Sequence, residues 1–555
     1  MQGFYPILRK KACTSMIKYT PAKERTLQLF RTPFENTLNP DNRWVRMASL
    51  VPWDDLAKVF FRHMNATHGR ASVDLRIVLG ALLVKHIEGI SDEDTIDYIQ
   101  ENIYAQYFVG LSSFQVEPVF VPSLFVEIRK RLGKTGIVEL NDLLLQHARD
   151  LQAIKHRSKR SVKSKANDRN DPPDTNANTA TEKPEEQVAT SESKPILLNR
   201  GTLKLDATVA PQHIGYPTDT RLLHQARQYA EELIDKLYYK TGLWNKKPRT
   251  YRKEARQAYL DFAKKKKASK SDIRKAKRKQ LNYLKRDLGH INKMLDQLAE
   301  VGIDCPWEKQ DWKRLWVLNE FYRQQQLMFD DRRRKVDDRI VNIAQPYVRP
   351  IKRGKAGAST EFGAKINVSE TEGFCRVDKM DFNNFNEGIG LKAQVEAYKA
   401  LYGYYPEAVL VDRIYLNREN RKWLKDNNID HFGPPLGRKP QMSQYEKQKR
   451  RKKQNKRSHI EGKFGQAKSK YGLDDIQMKR SDTSFVCIGM IFLAINVIKL
   501  AKELWFLFFN SYNHTIKRMS RPFGVFNFDQ SLRMLLLVDT QFESKPHLVG
   551  ERTTF

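Results

Sequence analysis

The amino-acid sequence predicts an α/β protein whose core carries a large helical insertion and follows an all-α N-terminal region. First, "EAVLVDRIY" (407–415) holds an unbroken apolar run after a predicted helix, which is typical of a buried parallel strand. Second, "TLKLDATVAP" (202–211) reads as a strand with Leu203 and Leu205 on one face. Third, residues from about 220 to 338 are helical and very basic, and interrupt the strands.

The N-terminal region, residues 1–154, is predicted to be a helical DNA-binding domain. "RIVLGALLVKHIEG" is an apolar helix that ends at Gly89. A capping-box pattern from Ser91 to Asp94 then begins a second helix. This pair is compatible with a helix-turn-helix and equally with an ordinary pair of packed helices.

Composition divides the rest of the chain. Residues 155–196 are almost free of large apolar side chains, so we expect a disordered linker. Residues 197–509 form the predicted α/β core, and residues 510–555 a C-terminal tail. "FVCIGMIFLAINVI" (485–498) is shorter than the roughly 18 residues of a membrane span, so we expect a buried core helix and no membrane.

Three segments complete the predicted core. "RIVNIAQPYV" (339–348) is strand-like, and "FGAKINVSETEGFCRVDKM" (362–380) has the pattern of a hairpin that turns at "SETEG". "LKAQVEAYKALYG" (391–403) is a helix that ends at Gly403.

Charge and cysteine content narrow the class of protein. The chain has 99 Lys and Arg against 65 Asp and Glu, a formal net charge of +34, which indicates a polyanionic partner such as nucleic acid. Its four cysteines contain no CxxC pair, which excludes a disulfide framework and a cysteine zinc site and favours a reducing, intracellular compartment. The run "KKKKASKSDIRKAKRKQ" (264–280) has ten basic residues and one acid, Asp272, a balance that favours contact with phosphates.

Three carboxylates are candidates for catalysis. Asp206 and Asp412 lie on or at the end of predicted strands, although each could simply cap a turn. Glu461 lies on a predicted helix with Arg457 four residues before it and Lys468 seven residues after it, all on one stripe. Converging carboxylates hold Mg²⁺ or Mn²⁺, and a pair of such ions promotes phosphodiester displacement.

Three blocks of the sequence resemble the DDE transposases of bacterial insertion sequences, in the group around insertion-sequence family five. The blocks are "LKLDATVAPQHIGYPTDTRLLHQAR" around Asp206, "AVLVDRIYLNRENRKWLKDNNIDHFGPP" around Asp412 and "RSHIEGKFGQAKSKYGL" around Glu461. Arg457, Glu461 and Lys468 match the family's Arg-x3-Glu-x6-Lys signature. The family often has a tyrosine three residues before that arginine, where this chain has Gln454.

The resemblance implies a fold, a site and an activity. It implies an RNase H-like mixed sheet flanked by helices, in which Asp206 and Asp412 lie side by side and a later helix supplies Glu461. These three residues would be both the catalytic residues and the Mg²⁺ ligands, with Mn²⁺ as a substitute. The helical insertion would contact DNA.

The basic segment 438–457 adds a predicted DNA clamp, since it has ten basic residues and one acidic residue. The predicted DNA-binding residues are therefore Arg457, Lys468, Lys463, Arg438 and Lys439.

The predicted function is that of a transposase in the bacterial cytoplasm, associated with the nucleoid. It would bind the terminal inverted repeats as a homodimer in a synaptic complex, cut the DNA by metal-dependent hydrolysis and join the 3′-hydroxyl ends to target DNA. The alternatives are an RNase H-like nuclease without strand transfer and a catalytically silent DNA-binding protein.

Overall fold

The computed structural model describes residues 38–63, 73–167, 199–352, 360–433 and 443–519. The elements discussed below lie in a compact unit that ends at Ala501. Its helices, numbered in chain order, are α1 Arg43–Leu50, α2 Trp53–His63, α3 Leu75–Glu88, α4 Asp92–Glu101, α5 Ile103–Val109, α6 Ser123–Asn167, α7 Asp219–Thr241, α8 Arg252–Ala263, α9 Lys270–Val301, α10 Lys309–Asp330, α11 Leu391–Tyr402, α12 Arg418–Asp426, α13 Gln444–Asn455, α14 Ser458–Tyr471 and α15 Ser481–Met519, the last of which continues beyond this unit.

A mixed sheet forms the centre of the unit. Its strands are β1 Thr202–Pro211, β2 Arg349–Lys352, β3 Thr360–Thr371, β4 Phe374–Asp381, β5 Ala408–Leu410 and β6 Asp430–Phe432. The strand order is β2-β3-β1-β5-β6, and β4 also pairs with β3. The pairs β1–β3, β2–β3 and β3–β4 are antiparallel, whereas β1–β5 and β5–β6 are parallel. The predicted hairpin and the predicted parallel strand are both confirmed.

Alternation along β1 gives the sheet two different faces. Leu203 and Leu205 pack against apolar side chains of α11, α12 and the turn after β5. Asp206 has the opposite parity, and α14 contacts β1. Helices therefore flank the sheet, and Asp206 lies on the face away from the Leu203–Leu205 cluster.

The apolar segment of α15 is buried, as the sequence predicts. Ser481–Glu503 is long and apolar enough to cross a membrane, but 78% of its most apolar window is buried. The Asn496 side chain accepts a hydrogen bond from the Cys375 backbone N–H (2.9 Å) and donates one to the Cys375 carbonyl (2.7 Å). These bonds join α15 to β4, so the segment is a core helix of this unit.

The helices before β1 pack directly onto the sheet. Asp142 of α6 pairs with Arg376 of β4 (2.7 Å), and the Lys134 ammonium donates to the Met380 carbonyl (2.7 Å). Helix α6 continues to Asn167, twelve residues past the predicted start of the linker, because its residues keep helical hydrogen bonding there. The rest of the predicted linker lies outside the described residues, and its boundary stays a prediction.

The predicted helix pair at Gly89 forms, but its chemistry does not suit DNA reading. Gly89 ends α3 with φ of 72°, and Ser91 and Asp94 make the predicted capping box of α4. The exposed side of α4 carries Glu93, Asp94 and Asp97. Acidic side chains repel phosphates. We therefore interpret α3 and α4 as an ordinary packed pair and not as a recognition unit.

The segment predicted as a helical insertion, about residues 220 to 338, contains α7, α8, α9 and α10, which run from Asp219 to Asp330. Its buried core contains leucines of α7 and α9 together with Phe321 of α10. The strand predicted at residues 339–348 is wrong, because this segment is irregular and the nearby strand begins at Arg349. Ile340 and Ile343 pack into the insertion core, which explains the apolar pattern without a strand.

A buried carboxyl group in the insertion makes its stability depend on pH. Both carboxyl oxygens of Asp287 are buried without a hydrogen-bond partner in the described structure. Burial first, and then the nearby Glu231, raise the pKa of Asp287 to about 8. The pKa of Asp287 is higher in the folded state than in the unfolded state. The contribution of Asp287 to the free energy of unfolding is therefore full at low pH and is lost as the pH rises from about 4 to about 8.

Asp287→Asn should therefore raise the melting temperature by roughly 5 °C at pH 8.5 and change it little at pH 4. The amide keeps the shape of the protonated acid but cannot ionise. Thermal unfolding followed by circular dichroism at both pH values provides the measurement, with the exposed Asp296→Asn on the same helix as the matched control. An equal effect at both pH values would show that Asp287 does not titrate as described.

Candidate active site

Asp206 lies on β1, and Asp412 follows the end of the neighbouring parallel strand β5 by two residues. In the β1–β5 pair, Leu203 lies opposite Val409 and Lys204 opposite Leu410. The same register continued by two residues puts Asp206 opposite Asp412, across an interstrand spacing of roughly 4.8 Å. The backbone of Asp412 is still extended there, with φ of −78° and ψ of 167°.

Asp206 lies in a mostly buried position on β1. Its side chain is 17% exposed. Burial raises the pKa of this carboxyl to about 6, although the Ala207 N–H and the Arg457 guanidinium both act to lower it. The Ala207 N–H donates a hydrogen bond of 2.9 Å to Oδ1 and fixes the orientation of the carboxylate. The side chain is thus held in place by the backbone and by a cation.

Asp412 ends the buried apolar run of β5 and begins the next turn. Its Oδ1 accepts a hydrogen bond of 2.7 Å from the Arg413 N–H, and the residue caps the short 3₁₀ segment Arg413–Tyr415. Asp412 is exposed, whereas Val411 before it is buried. Asp412 therefore makes the capping contact expected of a purely structural residue. It is also exposed to solvent beside Asp206.

Arg457 joins two of the candidate carboxylates. Its Nη1 lies 3.3 Å from Asp206 Oδ2, and its Nη2 lies 2.7 Å from Glu461 Oε1. Arg457 immediately precedes α14, and Glu461 lies in the first turn with its side chain 53% exposed. Arg457 and Glu461 form an ion pair across one helical turn, and the same arginine reaches Asp206, 251 residues earlier in the chain.

The other predicted DNA-binding residues have varied surroundings. Lys468 Nζ lies 3.6 Å from Glu361 Oε1. Lys463 is partly buried. It lies roughly 200° around α14 from Glu461, so these two side chains flank the buried face of the helix on opposite sides. Arg438 and Lys439 lie outside the described residues. The DNA-binding role of each of them stays a prediction.

Sequence reasoning missed a further carboxylate near Asp206. Glu387, in the 3₁₀ segment Glu387–Gly390, pairs with Lys365 (2.9 Å) and helps to raise the pKa of Asp206. The Asn420 amide ties this segment to the turn after Asp412, since it donates to the Gly388 carbonyl (2.7 Å) and the Tyr415 carbonyl (2.8 Å). Only an acid at the start of the α11 region marks Glu387 in the sequence.

Glu419, the nearest acid after Asp412 on α12, has a different environment. It lies in the first turn of α12, pairs with Lys392 (2.6 Å) and is 76% exposed. Its position suits the positive end of the helix dipole, and its partner is a surface lysine. Nothing in these contacts connects it with Asp206.

The donor set suits a divalent cation. Within the residues described, no group of three or more His, Cys, Asp or Glu is arranged to hold a metal ion. The Arg457 guanidinium nevertheless lies between Asp206 and Glu461, so a cation already bridges these two carboxylates. Carboxylate oxygens are ligands that Mg²⁺ and Mn²⁺ prefer. The chemistry of these carboxylates therefore suits Mg²⁺ or Mn²⁺, although their described arrangement, with Arg457 between two of them, does not itself form a group that could hold the ion.

Comparisons with known proteins agree with the type of site. A family model described as a transposase DDE domain matches residues 409–499, which include Asp412 and Glu461. A second model, described as a transposase domain (DUF772), matches residues 32–131. The chain is 29% identical over 203 residues to an uncharacterized protein, ORF8 in the nfe locus of Rhizobium meliloti. The aligned region covers 36% of this chain and 76% of that protein. No solved structure matches the chain.

Proposed function

We propose that this chain, whose residues 409–499 match a transposase DDE domain model, is a DDE transposase that cuts the ends of an insertion sequence with water and joins the freed 3′-hydroxyls to target DNA. The observation that carries the proposal is the bridge from Asp206 through Arg457 to Glu461, with Asp412 just after the adjacent parallel strand. The bridge connects β1 with the start of α14, two distant parts of the chain.

The sheet supports an RNase H-like arrangement for this core. The central strand β1 is antiparallel to β3, which also pairs with β4. On its other side β1 is parallel to β5, which also pairs with β6. Helices lie on both faces, and α14 delivers Glu461 to the face that carries Asp206. Asp206 and Asp412 would then hold the centre of the site, and Glu461 its rim.

Asp206, Asp412 and Glu461 would hold Mg²⁺, for which Mn²⁺ can substitute. Two such ions, when bound, would activate the attacking oxygen and stabilise the leaving oxygen. Arg457 would release Asp206 and remain available, with Lys468, for the phosphates around the scissile bond. The Ala207 N–H would keep the Asp206 carboxylate oriented throughout.

The proposal extends to the partners of the chain. The helices before β1, residues 32–131 of which match a transposase domain, would contribute to binding of the terminal inverted repeats through surfaces other than the acidic side of α4. Two ends must be brought together before joining, so we propose a homodimer in the synaptic complex. The place of action would be the bacterial cytoplasm, at the nucleoid.

A strand-transfer assay tests this proposal. Duplexes carrying the DNA that flanks the reading frame should be cut in Mg²⁺ and joined to a supercoiled target plasmid by the purified full chain. Precut ends that terminate in a 3′-dideoxynucleotide should not be joined, because they lack the attacking hydroxyl.

Two results would contradict the proposal. Cutting without joined products, with 3′-hydroxyl ends supplied, would assign the protein to the nucleases. DNA binding by a folded protein that cuts neither end would show a catalytically silent protein.

A further inference from the structure

Helix α9 of the insertion has two chemically different sides. Leu281, Leu284, Leu288 and Ile291 are buried against the neighbouring helices. At 100° per residue, the opposite side comprises one stripe that starts at Lys275. The stripe is solvent-exposed at all its positions, which are Lys275, Arg278, Lys279, Asn282, Lys285, Arg286, Gly289 and Lys293.

Between Lys275 and Lys293 this stripe, called here the α9 basic face, contains six cations and no acid, and the acids Asp296 and Glu300 follow it in the last turns of the helix. Its length from Lys275 to Lys293 is roughly 27 Å, at 1.5 Å per residue. Lys275, Lys279 and Lys285 make no ion pair within the part of the chain that the structure describes. Like charges at helical spacing destabilise a helix, so stability gives no reason for the pattern.

The acids that α9 does contact lie off this face. Lys277, on the inner side, pairs with Asp219 at the start of α7, and Asp219 also binds Arg339 (2.5 Å) where the insertion ends. Burial alone would raise the pKa of Asp219, but the effect of these two cations is larger, so the pKa lies below its usual value. The Arg274 guanidinium donates to the Phe329 carbonyl of α10 (2.9 Å).

These contacts fix where the α9 basic face begins. Asp219 follows the end of β1 at Pro211 by eight residues, and β1 carries Asp206. Lys277 therefore lies at the base of the insertion, where the chain enters it at Asp219 and leaves it at Arg339. Eight residues span at most roughly 28 Å, so the base of α9 lies within that reach of the end of β1, the strand that carries Asp206.

We propose that the α9 basic face binds the phosphate backbone of double-stranded DNA next to the cut site, without reading its sequence. A row of lysine and arginine side chains suits contact with the phosphate backbone, which carries no sequence information. B-DNA carries one negative charge per roughly 1.7 Å of axis, so a face of this length can meet several phosphates. An anionic membrane surface is negatively charged, as DNA is. We choose DNA because it is the substrate of the proposed active site, so this choice of partner rests on the proposed function.

The experiment compares two triple variants of the full chain in DNA binding without metal. The test variant is Lys275→Gln, Lys279→Gln and Lys285→Gln. The control variant is Lys240→Gln, Lys309→Gln and Lys313→Gln, which removes three exposed charges from α7 and α10 of the same insertion. The probe is a 30-base-pair duplex of random sequence, and binding is measured across a range of salt concentrations.

The test variant should lose affinity, and its slope of log K against log salt should become shallower by roughly 2.7, at about 0.9 per lost phosphate contact. The control variant should keep a slope close to that of the unaltered chain. An unchanged slope in the test variant would overturn the proposal, and so would equal changes in both variants, which would indicate net charge alone. Loss of binding to phosphatidylserine vesicles with an unchanged DNA slope would assign the face to a membrane.

Because no metal is present, this result does not depend on cleavage or joining. A chain that proves unable to cut DNA would contradict the proposed function while leaving the binding measurement valid.

Discussion

Glu461→Gln should reduce Mg²⁺-dependent DNA cleavage by roughly three orders of magnitude or more. The carboxylate that now accepts from Arg457 would become a metal ligand, and an amide cannot supply the negative charge that the ion needs. Its loss should affect the chemical step more than folding, because Glu461 is half-exposed and its ion pair with Arg457 contributes little to stability.

The matched control is Glu419→Gln, which removes the same charge from the first turn of another helix. Glu419 contacts only Lys392 among the interactions described, so cleavage should stay within about a factor of two. Cleavage rates of both purified variants, with circular dichroism to confirm folding, give the comparison. An inactive Glu419 variant beside an active Glu461 variant would show that the third carboxylate is misassigned.

Asp206→Asn and Asp412→Asn should each abolish cleavage, again by roughly three orders of magnitude or more, while DNA binding stays within a few-fold of the unaltered chain. Affinity for DNA comes chiefly from phosphate contacts, which these two carboxylates do not make. Asp206→Asn also removes one of the two ion pairs of Arg457 and leaves its ion pair with Glu461 in place.

Binding and cleavage should be measured on the same preparations, with the exposed Asp426→Asn of α12 as the control. The control should bind and cleave as the unaltered chain does. If a folded Asp206 or Asp412 variant loses binding and cleavage to the same extent, then its carboxylate serves DNA binding or local structure and not catalysis.

Local patterns predicted much of this fold. The unbroken apolar run before Asp412 indicated a buried strand, and that strand is parallel to β1. The glycines at 89 and 403 end their helices with positive φ, as their positions after apolar helical patterns indicated. These features depend on nearby residues, whose periodicity and capping chemistry are visible in the sequence.

Features that depend on distant residues could not be predicted. The contact between Arg457 and Asp206 joins residues 251 positions apart, and sequence spacing showed only the local pair of Arg457 with Glu461. Glu387 lies in a short 3₁₀ segment, which has no periodic pattern to identify it. At residues 339–348 the apolar side chains serve the insertion core, and an apolar pattern alone does not distinguish that packing from a strand.

The central claim is that Asp206, Asp412 and Glu461 converge on a divalent cation, and metal-directed cleavage of the polypeptide tests it most directly. Fe²⁺ bound in place of Mg²⁺ generates hydroxyl radicals in the presence of ascorbate and peroxide, and these radicals cut the backbone close to the ion. The account predicts cuts in the segments around residues 206, 412 and 461 together, suppressed by excess Mg²⁺ and lost in Glu461→Gln. Cuts that miss these segments, or that persist unchanged in excess Mg²⁺, would contradict it.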